Sequence, residues 1–233
     1  MIAHRAALQA TTELSKNGYQ IVPHVLANEE CDQLIGRLSA ADVVRSRAGA
    51  RHLLSIPEIG NVATDPRIVD SIRDALGLTP VPFRATLFEK TQETNWLIAW
   101  HQDTALPLEE RFEAPDWGPW SVKAGIHYAH APAWAIGRVV ALRIHLDESG
   151  ANNGSLRVLP GSHRLGVLTD EAVHRLSNES SAVECIVPKG GVLVMRPLIV
   201  HASSKSIGAP RRVLHIEYAD SRTLRDNIRL AVA

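Results

Sequence analysis

Trp96-Leu97-Ile98-Ala99-Trp100-His101-Gln102-Asp103 is the stretch that decides how this chain is read. Its apolar run ends on a histidine and an aspartate one residue apart. Successive side chains of a strand alternate faces, so His101 and Asp103 share one face while Gln102 turns away. A second apolar run, Val192 to Val200, delivers His201. Two imidazoles and one carboxylate drawn from two strands are the donor set of a facial triad on Fe(II), which leaves open positions for a chelating co-substrate and oxygen. In a chain with 11 histidines a single His-x-Asp tripeptide arises easily by chance. The ordered set carries the weight: tripeptide, distal histidine, then arginines ten and eleven residues beyond it.

Composition narrows the classes. A chain of 233 residues is long for an average domain but within the range of one β-barrel or sandwich. It can bury a core without disulfides or a structural metal. Lys plus Arg equals Asp plus Glu at 25 each, so the basic surface of a nucleic-acid or acidic-membrane binder is missing. Cys31 and Cys185 form no CxxC pattern and are expected as reduced, buried thiols. Met1 to Gln20 is mixed and polar without the apolar core of a signal peptide. No run approaches the roughly 20 apolar residues of a membrane span. The expectation is a soluble, cytoplasmic protein with a small-molecule partner, no nucleic acid and no membrane.

Along the chain, helix formers occupy Ala3 to Asn17 and stop at Gly18, a left-handed cap. Tyr19 to Val22 reads as a short strand. A second helix is expected from Asn28 as N-cap, and a third from Asp65 as N-cap with Pro66 in its first turn and Gly77 past its end. From Pro82 the pattern turns to strands: Phe83 to Glu89, Trp96 to Gln102, Val139 to Leu146, Leu156 to Leu159, Val183 to Val187, Val192 to Met195 and Val213 to Tyr218. Asp170 to Ser177 adds a short helix. Helices first and short strands afterwards predict a β-sandwich with helices on one outer face. One domain spanning 1–233 is expected, with helices in 1–80 bracing strands in 81–220.

Several motifs together resemble the phytanoyl-CoA dioxygenase family. They are Gly18-Tyr19, Glu29-Glu30-Cys31, Trp100-His101-Gln102-Asp103, Asn153-Gly154-Ser155-Leu156, Pro160-Gly161-Ser162-His163, Arg196-Pro197-Leu198, His201-Ala202-Ser203-Ser204 and Arg211-Arg212-Val213-Leu214-His215. The resemblance covers nearly the whole chain. It implies a double-stranded β-helix, a cupin-type jelly roll that is mainly β with flanking helices. It also implies Fe(II), 2-oxoglutarate as co-substrate and O2, with succinate and carbon dioxide released as a small molecule is oxidised. It carries over no substrate. Related halogenases replace the triad carboxylate with a small residue, so Asp103 favours hydroxylation or another oxidation.

Within that resemblance His101, Asp103 and His201 are the metal ligands. An arginine is needed for the distal carboxylate of 2-oxoglutarate, because a guanidinium forks onto a carboxylate and keeps its charge. Both Arg211 and Arg212 are candidates. Alternation favours Arg211, which shares a face with Val213, His215 and Glu217, whereas Arg212 shares one with Leu214, Ile216 and Tyr218. Ser203, two residues past His201, is expected to help hold that carboxylate. All five tryptophans fall between Trp96 and Trp134. Thr104 to Trp134 therefore reads as an aromatic lid without secondary structure, in which Trp120 touches the co-substrate while Trp117 and His127 touch substrate. Arg143 is a further substrate contact. Two rivals remain open: a cupin-like enzyme that uses its metal without 2-oxoglutarate, and a non-catalytic jelly-roll binding module.

Overall fold

Along the strand Arg211–Ala219, Leu214, Ile216 and Tyr218 turn toward a helical layer, while Arg211, Val213, His215 and Glu217 turn the other way. One strand thus separates an apolar interface from a polar one. The computed structural model describes residues 13–46, 49–76, 80–91 and 94–233. In its first half the chain forms β1 (Tyr19–Val22), α1 (Asn28–Ala40), β2 (Arg45–Ser46), β3 (Gly49–Arg51), α2 (Pro57–Thr64), α3 (Pro66–Leu76), β4 (Val81–Lys90) and β5 (Ile98–His101). Then come β6 (Ala105–Leu108), β7 (Trp120–Lys123), β8 (Ile126–His130), α4 (Ala133–Ile136), β9 (Val139–His145) and β10 (Leu156–Val158). Last are α5 (Asp170–Glu179), β11 (Val183–Cys185), β12 (Val192–Met195), β13 (His201–Ser203) and β14 (Arg211–Ala219).

A seven-stranded sheet runs β1-β12-β9-β14-β4-β3-β2, a four-stranded sheet runs β11-β10-β13-β5, and a small sheet runs β6-β8-β7. Ala141, Leu193 and Met195 of the large sheet meet Leu156, Val158 and Cys185 of the four-stranded one, so the two face each other across an apolar seam. On the outer side Leu34, Leu38, Ile59, Ile68 and Ile72 of the helices pack against Leu142, Ile144, Leu214 and Ile216. This is the expected sandwich with helices on one outer face. Ile72 is fully buried there. Ile72→Ala is expected to cost about 2–5 kcal/mol through lost burial and the cavity left behind. Urea titration checks it: the midpoint falls while the slope stays constant.

Local chemistry explains most element ends. Asp65 caps α3 by accepting the Arg67 N–H at 2.8 Å, with Pro66 in the first turn. The cap of α1 is Ala27 rather than Asn28, because the Glu30 carboxylate reaches back to the Ala27 N–H at 2.7 Å. Residues 13–17 are helical and end at Gly18, whose φ of +82° and N–H bond to Leu14 O at 2.9 Å make it the left-handed cap. The earlier part of the helix expected over Ala3 to Asn17, and Gly77, lie outside the described residues. Among the described residues no helix is long and apolar enough to cross a membrane.

The segment from Thr104 to Trp134 departs from expectation. It is built on the antiparallel strands β6, β8 and β7 instead of an irregular loop. Phe112 meets both Trp117 and Trp120 edge-on at 5.2 Å, and Trp117 meets Trp134 at 6.1 Å. These rings back onto Phe83, Leu106, Leu108 and Leu198, so the tryptophans form a second hydrophobic cluster.

Candidate functional site

β5 and β13 lie side by side with His101 and His201 as direct register partners, and their ring centroids are 4.2 Å apart. Asp103 follows the end of β5, where its N–H bonds to Pro197 O at 2.9 Å. Its carboxylate stands 3.6 Å from Nε2 of His101 and 3.6 Å from Nε2 of His201. One ligand atom from each of the three lies within 4.8 Å of the others, and no other such cluster occurs among the described residues. Gln102 turns away and pins a neighbouring loop, donating to Gly166 O at 2.9 Å and Leu198 O at 2.7 Å.

Protonation suits this geometry to a cation. His101 Nδ1 is 2.9 Å from Ala99 O, and His201 Nδ1 is 2.9 Å from Ile199 O. A carbonyl can only accept, so each Nδ1 carries the proton and each Nε2 turns a lone pair toward Asp103. Burial pushes His201 down to about 4. Burial works against ionisation of Asp103, but the attraction of His201 and His101 outweighs it and holds the carboxyl well below its usual range. For His101 burial is again the largest influence and lowers it, yet Asp103 raises it overall.

Arg211 lies on the inner face of the large sheet, buried, with Lys90 as its register partner on β4, and Lys90 reaches across to Ser203 on the strand that carries His201. Its Nε and Nη1 have no hydrogen-bond partner among the described residues. Burial, reinforced by Arg143, pushes its guanidinium down to about 9, so it remains charged at neutral pH. A buried cation with two free donors is costly unless an anion meets it. Lys90 is also buried; its ammonium donates to Ser203 Oγ at 2.9 Å and to the Ser204 carbonyl. Ser203 thereby keeps its own proton free to donate. Gly154, at φ +71°, sits against this corner: a Cβ there would lie 2.4 Å from Ser204 O and 3.1 Å from Lys90 Nζ.

Arg212 points outward and is committed elsewhere. Its guanidinium pairs with Asp147 at 2.7 and 2.8 Å. Arg143 points inward, buried, with Nη1 3.4 Å from His215 Nδ1 and its charge 5.3 Å from the Phe88 ring. Trp117, Trp120 and His127 do not join the triad. Trp120 meets Phe112 edge-on and, at 6.5 Å, His127 likewise, while Trp117 lines a cleft of about 630 Å³ with Phe112, Trp134 and Arg229. None of that cleft's lining residues belongs to the triad or to the Arg211 corner. Trp117 and Trp120 pack against the second hydrophobic cluster, and His127 lies edge-on to Trp120.

Sequence reading missed Arg84 and Glu217. Arg84 donates to Glu217 and, at 3.3 Å, to the carbonyl of Ala105, two residues past Asp103. The signal was present, since alternation along β4 sets Arg84, Thr86, Phe88 and Lys90 on the face opposite Ala85 and Leu87.

Comparison with known proteins bears on this site. A family model described as phytanoyl-CoA dioxygenase (PhyH) matches residues 14–213. The epimerase SnoN, solved with Fe3+, alpha ketoglutarate and nogalamycin RO, is 18% identical over 94% of this chain and 85% of its own, at TM-score 0.70. EctD from S. alaskensis, solved with 2-oxoglutarate and 5-hydroxyectoine, is 20% identical over 91% of this chain and 75% of its own, at TM-score 0.69. HygX from Streptomyces hygroscopicus, with nickel and 2-oxoglutarate bound, is 16% identical over 97% of this chain and 95% of its own, at TM-score 0.66. At such identities the likeness establishes the fold, a double-stranded β-helix. Among curated protein sequences nothing matches.

Proposed function

The chain belongs to the phytanoyl-CoA dioxygenase family, and on that footing we propose that it is an Fe(II)- and 2-oxoglutarate-dependent oxygenase that hydroxylates or otherwise oxidises a small organic molecule. Succinate and carbon dioxide are the co-products. The observations that carry this reading are a convergent His101–Asp103–His201 donor set and, on the inner face of the large sheet, a buried Arg211 with free donors. Iron, when bound, supplies two-electron oxidation of substrate coupled to decarboxylation of 2-oxoglutarate.

The residues then have defined tasks. Ala99 and Ile199 carbonyls fix the two imidazoles so that both Nε2 atoms face the metal. Asp103 supplies the anionic ligand, and its retention favours hydroxylation-type oxidation. Arg211 forks onto the distal carboxylate of the co-substrate, with Ser203 and Lys90 completing its cradle. The buried Leu193, Met195 and Val213 keep water from the inner face of the large sheet. The same reading includes one domain, in which 1–80 brace 81–220, and a cytoplasmic setting where the buried thiols of Cys31 and Cys185 stay reduced.

The test is oxygen-dependent release of carbon dioxide from carboxyl-labelled 2-oxoglutarate by the Fe(II)-loaded protein. Slow release without substrate, lost anaerobically and in His201→Ala, is expected. A rate indifferent to oxygen and to His201 would refute the reading.

Lys90 adds a pH dependence. Burial, then repulsion from Arg211 and Arg143, pushes it down to about 7. Below that pH it is protonated and adds a positive charge beside the co-substrate carboxylate; above it the charge is lost. The apparent KM for 2-oxoglutarate is therefore expected to rise between pH 7 and 8.5, by up to about tenfold per unit. Lys90→Met should flatten the profile, and an unchanged slope would exclude Lys90 from the cradle.

A further inference from the structure

The inner face beside Asp103 carries more positive charge than the roles above employ. Arg51 on β3 pairs with Thr86 on β4, and Ala50, Ala85 and Leu87 take the helix side, so Arg51 and Arg84 share the inner side. From the small sheet, Lys123 Nζ stands 4.9 Å from the centre of the Tyr128 ring, and Arg84 Cζ stands 5.9 Å from the same ring. The Tyr128 hydroxyl is hydrogen-bonded to His52 Nε2 at 2.9 Å. Strands from two sheets thus set Arg84 and Lys123 against one tyrosine, with Arg51 near enough to act on it electrostatically. Arg84 ties the group to the metal cluster through its bond to the Ala105 carbonyl.

Burial opposes the charge on Arg84, but Glu217 and Asp103 outweigh it and raise its guanidinium, so two carboxylates stand against three cations. Among the described residues, the carboxylate bonded into the group is Glu217, which is buried and accepts from Arg84 and, at 3.3 Å, from His215. Its Oε2 and the Arg84 Nε have no partner among the described residues. Burial first, then Arg51 and Arg84, push down both Lys123 and His52. His52 holds φ +60°, a backbone region that side-chain-bearing residues seldom occupy, and this conformation presents its imidazole to Tyr128.

We propose that Arg84, Arg51 and Lys123, around Tyr128, bind the acidic group of the substrate, so that the substrate is an organic carboxylate or phosphate ester. This rests on the oxygenase reading above. The guanidiniums fork onto the anion's oxygens, the Lys123 ammonium adds a mobile point charge, and the Tyr128 hydroxyl offers a neutral hydrogen bond. Anchored there, the substrate would extend toward Asp103, and the exposed positive charge of Arg51 and Lys123 draws anions inward.

Four probes on one skeleton test this: 3-phenylpropanoate, 3-phenylpropyl phosphate, 3-phenylpropanamide and 3-phenylpropylamine. Each is titrated calorimetrically into the full chain, first without metal, then anaerobically with Fe(II) and 2-oxoglutarate. Both anions are expected to bind about tenfold or more tighter than the amide, and the amine not at all. The tighter of the two anions identifies the acid. Arg84→Gln should weaken anion binding most. Because it leaves Glu217 buried without its guanidinium partner, the exposed Arg51→Gln and Lys123→Gln serve as variants that keep the fold, each weakening the anions several-fold. Amide or amine binding as tightly as the anions overturns the proposal. So does anion affinity that falls in Arg211→Ala but not in Arg51→Gln or Lys123→Gln, since that reports the co-substrate pocket. Failure of the oxygenase reading looks different: Fe(II) and 2-oxoglutarate then give no visible charge-transfer band in the wild type, whatever the anions do.

Discussion

Asp103→Ala is expected to give a folded protein that binds Fe(II) at least about a hundredfold more weakly and consumes no 2-oxoglutarate. Losing an outer-shell partner of a metal ligand already costs about 10–100-fold, and Asp103 is itself the anionic donor of the set. The change removes more than one ligand atom. Without the carboxylate 3.6 Å from each Nε2, nothing offsets the cost of bringing a divalent cation against one buried and one half-buried imidazole. Stability should hardly move, because the helix-side cluster around Ile68, Ile72, Leu142 and Leu214 lies on the far face of the large sheet. Metal analysis after dialysis and a thermal melt check both halves. A variant that retains iron and releases succinate would dismiss the triad.

Arg211→Ala is expected to raise the KM for 2-oxoglutarate about 10- to 150-fold, the equivalent of losing roughly 1.5–3 kcal/mol of charge-assisted hydrogen bonding. Arg211→Lys should recover only part, since an ammonium cannot fork onto a carboxylate. Arg212→Ala is the matched control. It breaks a partly exposed pair with Asp147, worth no more than about 1 kcal/mol of stability, and should leave the KM unchanged. Steady-state kinetics on the three variants suffice. A large effect in Arg212→Ala with none in Arg211→Ala would reverse the strand register used for β14.

How much of this could be read before folding depends on the range of the interactions involved. His101 and Asp103 were legible because both sit at the end of one apolar run, where alternation is local. Arg211 was separable from Arg212 for the same reason: the register shift in β14 falls later, between Glu217 and Tyr218. Strands in 104–134 were hidden because they are four or five residues long and interrupted by Pro107, Gly118-Pro119 and Ala124-Gly125. Tryptophan content then suggested a lid, yet edge-to-face packing with Phe112 uses those rings internally. α2 went unread because eight residues containing Gly60 give a weak helical signal. Arg51, Arg84 and Lys123 are distant in sequence and meet only once β3, β4 and β7 are in place.

β5 is the outermost strand of its sheet, four residues long, and bonded along one side to β13 across a register that slips between His201 and Ser203. The two histidines face each other across that weak seam. An ion held by both acts as a rivet, joining a fraying edge to the strand inside it. Metal loading is then a folding event confined to one margin of the molecule, and its binding free energy opposes local opening there. Amide exchange at Ala99 and Trp100 should slow when Fe(II) is added, while Leu142 and Leu214 in the middle of the large sheet exchange as before. Iron-stripped protein would come apart first at its catalytic edge, with the rest of the sandwich intact.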